Sequence, residues 1–129
     1  MEKTISPGLK ATFLAGCFTA GIFGLIYMLA PEAYQNFIGV PIKQPTEAMG
    51  FRELGVALLA LAYAGWLSSR ETATDKVKIA AKMVIGWMVI GALVMLWGLI
   101  FTELPAIYWL YAVLFAGFAV AFSVFYPRE

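Results

Sequence analysis

Two adjacent charges, Arg52 and Glu53, stand inside residues 45–70, a stretch otherwise apolar enough to cross a bilayer. An arginine beside a carboxylate at such a place can do one of three things. It can anchor a helix at the interface, the arginine reaching phosphates along its apolar stem. The pair can form a polar pocket for a ligand or partner, since intramembrane charges are costly and often functional. It can also begin a proton or ion path. Few residues are able to join them. Glu103 is the only charge between the third and fourth apolar segments, and Lys43, Tyr34, Tyr108 and the Trp109 N–H are donors expected on the same side. No second intramembrane acid and no histidine continues a path inward.

Other chemistry is sparse. The chain has no His and one Cys, Cys17. An intrachain disulfide is thereby excluded, and so are the His/Cys sets that bind zinc, haem or iron–sulfur centres. Cys17 lies in an apolar run and reads as an inert, buried thiol. No acid–base pair or metal spacing stands out, so no catalytic residue, metal or cofactor is expected.

The surroundings follow from composition. The 129 residues are 62% hydrophobic and 13% charged, with a mean hydropathy of +0.83. Soluble domains are about 45–50% apolar and about 25% charged. The lipid bilayer is therefore the expected partner, and a net charge of +1 gives no reason to expect nucleic acid. The length suits a single domain, residues 1–129.

Four apolar segments meet the spanning length of roughly 20 residues: about 9–30, 46–69, 74–101 and 104–126. Pro105 is expected in the first turn of the fourth, where its missing N–H is harmless. The first segment exceeds the 7–15 apolar residues usual in a cleaved signal and reads as a retained helix. The fold class expected is all-α, an integral membrane four-helix bundle. Between its first two spans, residues 31–41 carry Ala33, Tyr34, Phe37 and Ile38 on one side of a short helix lying on the outer surface, stopped by Gly39 and Pro41.

Orientation follows from Lys and Arg, which concentrate in cytoplasmic loops. Seven of the nine (Lys3, Lys10, Arg70, Lys76, Lys78, Lys82 and Arg128) fall at one end, against Lys43 and Arg52 at the other. Both termini are thus expected to be cytoplasmic, in a multi-pass protein of the cell (inner) membrane. Trp66 and Trp87 then fall toward the inner side and Trp97 and Trp109 toward the outer, depths that suit indole rings.

The depth of the charges is set by length. Leu54 to Ser69 is 16 residues, about 24 Å of helix, short of the roughly 30 Å hydrocarbon core. The helix must therefore extend back through Glu53 and Arg52, with Thr46 expected as its N-cap after Pro45. That places both charges about a turn inside the boundary. Neighbouring residues point about 100° apart. Glu53 shares a stripe with Ala57, Ala60 and Ala64, a small-residue pattern that suits close helix contact. Glu53 is thus expected to face the bundle, and Arg52 to meet Glu103 or the headgroups. Gly16, Ala20 and Gly24 form a second small-residue ladder, expected to pack within the chain or between copies.

Four short-looped spans, an outer stub after the first, and a Gly/Arg-rich start to the second (Gly50-Phe51-Arg52-Glu53-Leu54-Gly55) resemble the small DoxX-like membrane proteins. The resemblance implies a fold and not an activity. The function expected is that of a non-catalytic multi-pass membrane protein. It would act as an accessory or interaction subunit, bound to other membrane subunits or to itself, or bind a lipid-like ligand through a shallow polar site on the outer side. The alternative is a small transporter or channel working as an oligomer.

Overall fold

A computed structural model describes residues 5–127 of the chain. Lys3 and Arg128, counted above in the charge distribution, lie outside the described residues. Among the described residues there are helices and no strand, in the order α1 (Pro7–Leu29), α2 (Pro31–Phe37), α3 (Pro45–Arg70), α4 (Thr74–Phe101) and α5 (Tyr108–Val124). Three of these, α1, α3 and α4, are long and apolar enough to cross a membrane. The fourth apolar segment is shorter than its sequence suggested. Pro105 lies in the connection before α5, not in its first turn. The residues from Pro105 onward enter the helix through successive i→i+3 bonds, in which the Tyr108, Trp109 and Leu110 N–H groups donate to the Pro105, Ala106 and Ile107 carbonyls.

Helix boundaries have local causes. Ser6 caps α1, its hydroxyl oxygen accepting from the Leu9 N–H at 3.1 Å, and Pro7 is pre-set for the first turn. Pro31 opens α2 and Pro45 opens α3 in the same way. The N-cap of α3 is Gln44, one residue before the proline, so Thr46 falls inside the first turn. Gly39, at φ +83°, ends the α2 stub. Its N–H donates to Asn36 O, and the Val40 N–H reaches back to Gln35 O, the bond pair of a Schellman stop.

The helices pack as two antiparallel pairs, α1 with α3 and α4 with α5, joined mainly through α1 and α5. The face that α3 turns inward is not the one its sequence suggested. Ala48, Gly55, Ala62 and Ser69 are buried, one residue every seven, the repeat of a left-handed helix seam. Ala57, Ala60 and Ala64 face outward. On α1 the seam uses Ala20 and Gly24, both buried, with Gly21 against Ala62. Gly16 is half-buried and lies nearer to Phe118 and Phe122 of α5.

The end of the molecule away from α2 is tied by Leu9, Phe13, Val77, Ala81 and Phe122. There Phe13 meets Phe122 edge to face, with centroids 5.0 Å apart. Elsewhere the surface is strongly apolar: α4 alone exposes Ile79, Met83, Ile90, Leu93, Trp97 and Ile100. A soluble monomer rarely carries so continuous an apolar face.

Candidate functional site

At the α2 end, the last turns of α1, the whole of α2, the start of α3 and the start of α5 converge on an aromatic nest. Tyr27 of α1 stacks on Phe51 of α3 (centroids 5.6 Å, 11° between planes) and meets Tyr34 of α2 edge to face at 5.4 Å. Phe23, one turn deeper, packs edge-on against both Tyr34 and Tyr111 of α5. Tyr108 meets Tyr111 at 5.2 Å. Edge-to-face pairs at these separations bring the positive ring edge onto a negative ring face.

Three phenols meet within the nest. The Tyr34 and Tyr111 hydroxyls are hydrogen-bonded to each other, and the Tyr27 ring lies edge to face on Tyr34. A phenol both donates and accepts, so this trio offers donors and acceptors from three separate helices.

Next to Tyr34 in α2 is Gln35, which is 1% exposed. Neither its Nε2 nor its Oε1 has a hydrogen-bond partner. A buried amide left unpaired costs about 1–3 kcal/mol, and buried polar groups are nearly always satisfied by protein, water or ligand. Among the described residues, no other buried side-chain nitrogen or oxygen lacks a partner. The face of α2 also differs from expectation. Pro31, Gln35 and Ile38 are turned inward, while Ala33 is exposed and Phe37 is 82% exposed. The docking of the Tyr34 ring among Phe23, Tyr27 and Tyr111 sets this rotation.

The charged residues sit around this nest and not within it. Arg52 does not meet Glu103. Its Nη2 donates to both Glu32 carboxylate oxygens, at 3.0 and 3.2 Å, joining α3 to the first turn of α2. Both side chains are partly exposed, so the pair is a clamp at the surface and not a sealed ion pair. The Glu32 carboxyl is held below the ordinary carboxylate range, first by its own backbone N–H at the start of α2 and then by Arg52, against some desolvation. Glu53 points outward and is exposed, contrary to the inward direction expected of it. A helix turns only one face to α1, and the contact at Gly55 settles which. Glu103 is exposed in the connection before α5, and Trp109 is also exposed.

Of the residues expected to form an outer polar site, the structure thus brings Tyr34 and Tyr108 into one nest and leaves Arg52, Glu53, Glu103 and Trp109 outside it. Tyr27, Glu32, Gln35 and Tyr111 were not singled out from sequence. Their one linear signal is an aromatic or polar residue at the ends of apolar runs, Tyr27 near the end of one and Tyr111 near the start of another. Among the described residues, no three His, Cys, Asp or Glu side chains gather in a metal-binding arrangement. No protein-family model, curated protein or solved structure matches the chain.

Proposed function

We propose that the chain is a non-catalytic integral membrane protein that binds a lipid-like ligand at its α2 end. In this proposal α1, α3, α4 and α5 are the four spans of a bundle, and α2 lies at the outer surface. Both termini are cytoplasmic, in keeping with the distribution of Lys and Arg. At 17 residues, α5 provides about 25 Å of helix. A short span of that kind is accommodated by local thinning and by the turn that precedes it. The layout is the one the DoxX-like resemblance implies.

The observation that carries the binding proposal is Gln35, buried with both ends of its amide unpaired beside a tyrosine whose hydroxyl meets Tyr111. A site of phenols and one carboxamide favours an uncharged head group able to donate and accept hydrogen bonds. The apolar helix surfaces around it suit a hydrocarbon tail. The transporter alternative has less support, because the threonine hydroxyls of α1 are spent on their own helix. Thr12 donates to the Gly8 carbonyl and Thr19 to the Ala15 carbonyl, both at 2.8 Å.

The test is mass spectrometry of small molecules retained after mild detergent extraction, comparing the wild type with Gln35→Leu and with Tyr111→Phe. A species held by the wild type and lost from both variants is expected. Identical profiles for all three proteins contradict the proposal.

A further inference from the structure

The amide of Gln35 is sealed. The residue is 1% exposed, and both side-chain polar atoms are out of contact with solvent. A ligand reaches it only if some element moves. Helices α1 and α3 are poorly suited to move, because they meet backbone to backbone: a Cβ added at Gly55 would lie 2.7 Å from the Gly24 carbonyl oxygen. Contact that close is lost at the first separation. Helix α2 is different. It has seven residues, well short of a helix that is stable alone, and it carries Gln35 on its inner side with Pro31 and Ile38. A single residue, Ala30, separates it from α1, and its φ of −142° and ψ of 54° break the helix there. Beyond the other end, Gly39 at φ +83° lies in the connection to α3. Residues at the ends of elements are the ones that absorb a hinge rotation.

Polar contacts hold α2 down on two sides. Within the nest the Tyr34 hydroxyl bonds to that of Tyr111. Outside it, Glu32 accepts from Arg52 at 3.0 and 3.2 Å. The second contact is open to competition from water and head-group phosphates, since the Arg52 and Glu32 side chains are 39% and 50% exposed, and such a pair holds only weakly. The amide itself opposes closure. Docking α2 over an empty site takes Gln35 out of water and gives it no partner, which is unfavourable. A ligand that bonds to the amide removes that penalty, so closure is coupled to occupancy. We infer that α2 is a lid over the Gln35 site, hinged at Ala30 and Gly39 and latched by Arg52 on Glu32, which opens to admit the ligand and closes on it. The inference rests on the binding role proposed for Gln35 and adds the way in which that site fills.

The experiment needs no ligand and uses the full chain in lipid-stripped detergent, in a Cys17→Ser background. Ile38→Cys places a thiol on the buried side of α2. Ala81→Cys places one in the core at the opposite end, where the residue is 0% exposed. Modification by N-ethylmaleimide is timed at each, relative to the same thiol in the unfolded protein. A lid that opens by itself should expose Ile38→Cys faster than Ala81→Cys. Adding Arg52→Met should speed the first about two- to fivefold, the range of an exposed ion pair, and leave the second unchanged. Adding Gln35→Leu should slow the first about tenfold, because an apolar side chain closes without the penalty of an unpaired amide. Ile38→Cys reacting no faster than Ala81→Cys, or equally fast with and without Arg52→Met, overturns the lid. A response to Arg52→Met with none to Gln35→Leu overturns instead the reading of Gln35 as an unsatisfied amide, and with it the coupling of the lid to a ligand. If Ile38→Cys fails to fold, spin labels at Ala33→Cys and Met49→Cys decide: a second, longer separation is expected with Arg52→Met, and an unchanged one overturns the lid.

Discussion

Gly24 of α1 and Gly55 of α3 meet backbone to backbone. A Cβ added at Gly55 would lie 2.6 Å from the Met28 amide nitrogen and 2.7 Å from the Gly24 carbonyl oxygen, and one added at Gly24 would lie 3.0 Å from the Gly55 carbonyl oxygen. At Gly55 each atom in the way belongs to the α1 backbone, so none can move aside alone; at Gly24 the Leu59 side chain stands at 2.9 Å as well. In a membrane, where helices gain little from leaving lipid, such close approach is the main source of association.

Substitution at this crossing is therefore expected to be severe for its size. Gly55→Ala should destabilise the protein by about 1–3 kcal/mol, the usual range for overpacking. Ala57→Leu, on the outward face of the same helix, should stay within about 0.5 kcal/mol, as surface changes do. Thermal unfolding in detergent measures both. Equal effects would mean that α3 presents a different face to α1.

The link between Arg52 and Glu32 gives a dependence on pH. The Glu32 carboxyl titrates below its ordinary value of 4.5. What the clamp contributes is thus fully present above the ordinary carboxylate range and is lost as pH falls through the lowered value. Spin labels at Ala33→Cys and Met49→Cys, in a Cys17→Ser background, report the separation of α2 and α3. At neutral pH the distance distribution should be narrow, and it should broaden only in acid. Arg52→Met should broaden it at every pH. Because both partners are partly exposed, the effect on overall stability should be small.

These two relationships show what a linear sequence conveys and where it stops. The long apolar runs of α1, α3 and α4 are legible because a bilayer demands length and hydropathy, which are local properties. The inward face of α3 is not, because the helix carries two stripes of small residues, Ala57/Ala60/Ala64 and Ala48/Gly55/Ala62/Ser69. Only the partner surface around Gly24 selects between them. Arg52 and Glu32 are twenty residues apart, and the first turn of α2 must be folded before they can meet. Gln35 looks like a solvent-facing residue of a short surface helix. It becomes a buried one only when Tyr34 docks among three rings of α1 and α5 and fixes the rotation of α2.

Orientation is tested separately. Cysteines placed at Gln44 and Ala73 in a Cys17→Ser background should react with a membrane-impermeant thiol reagent from outside and inside the cell respectively. The prediction rests on the excess of Lys and Arg around the loop between α3 and α4. The reverse pattern would invert the protein in the membrane and turn the nest toward the inner leaflet.

The binding role of the α2 end is tested most directly by thermal unfolding of the wild type and Gln35→Leu, in lipid-stripped detergent and after native lipid extract is added back. An unpaired buried amide costs about 1–3 kcal/mol. Without ligand, Gln35→Leu should therefore be the more stable protein by about that amount. On adding the extract, the wild type should gain stability as its amide is satisfied, by the linkage of binding to folding, and Gln35→Leu should gain less. A variant no more stable than the wild type in stripped detergent, with both proteins gaining equally from the extract, would contradict a ligand at Gln35.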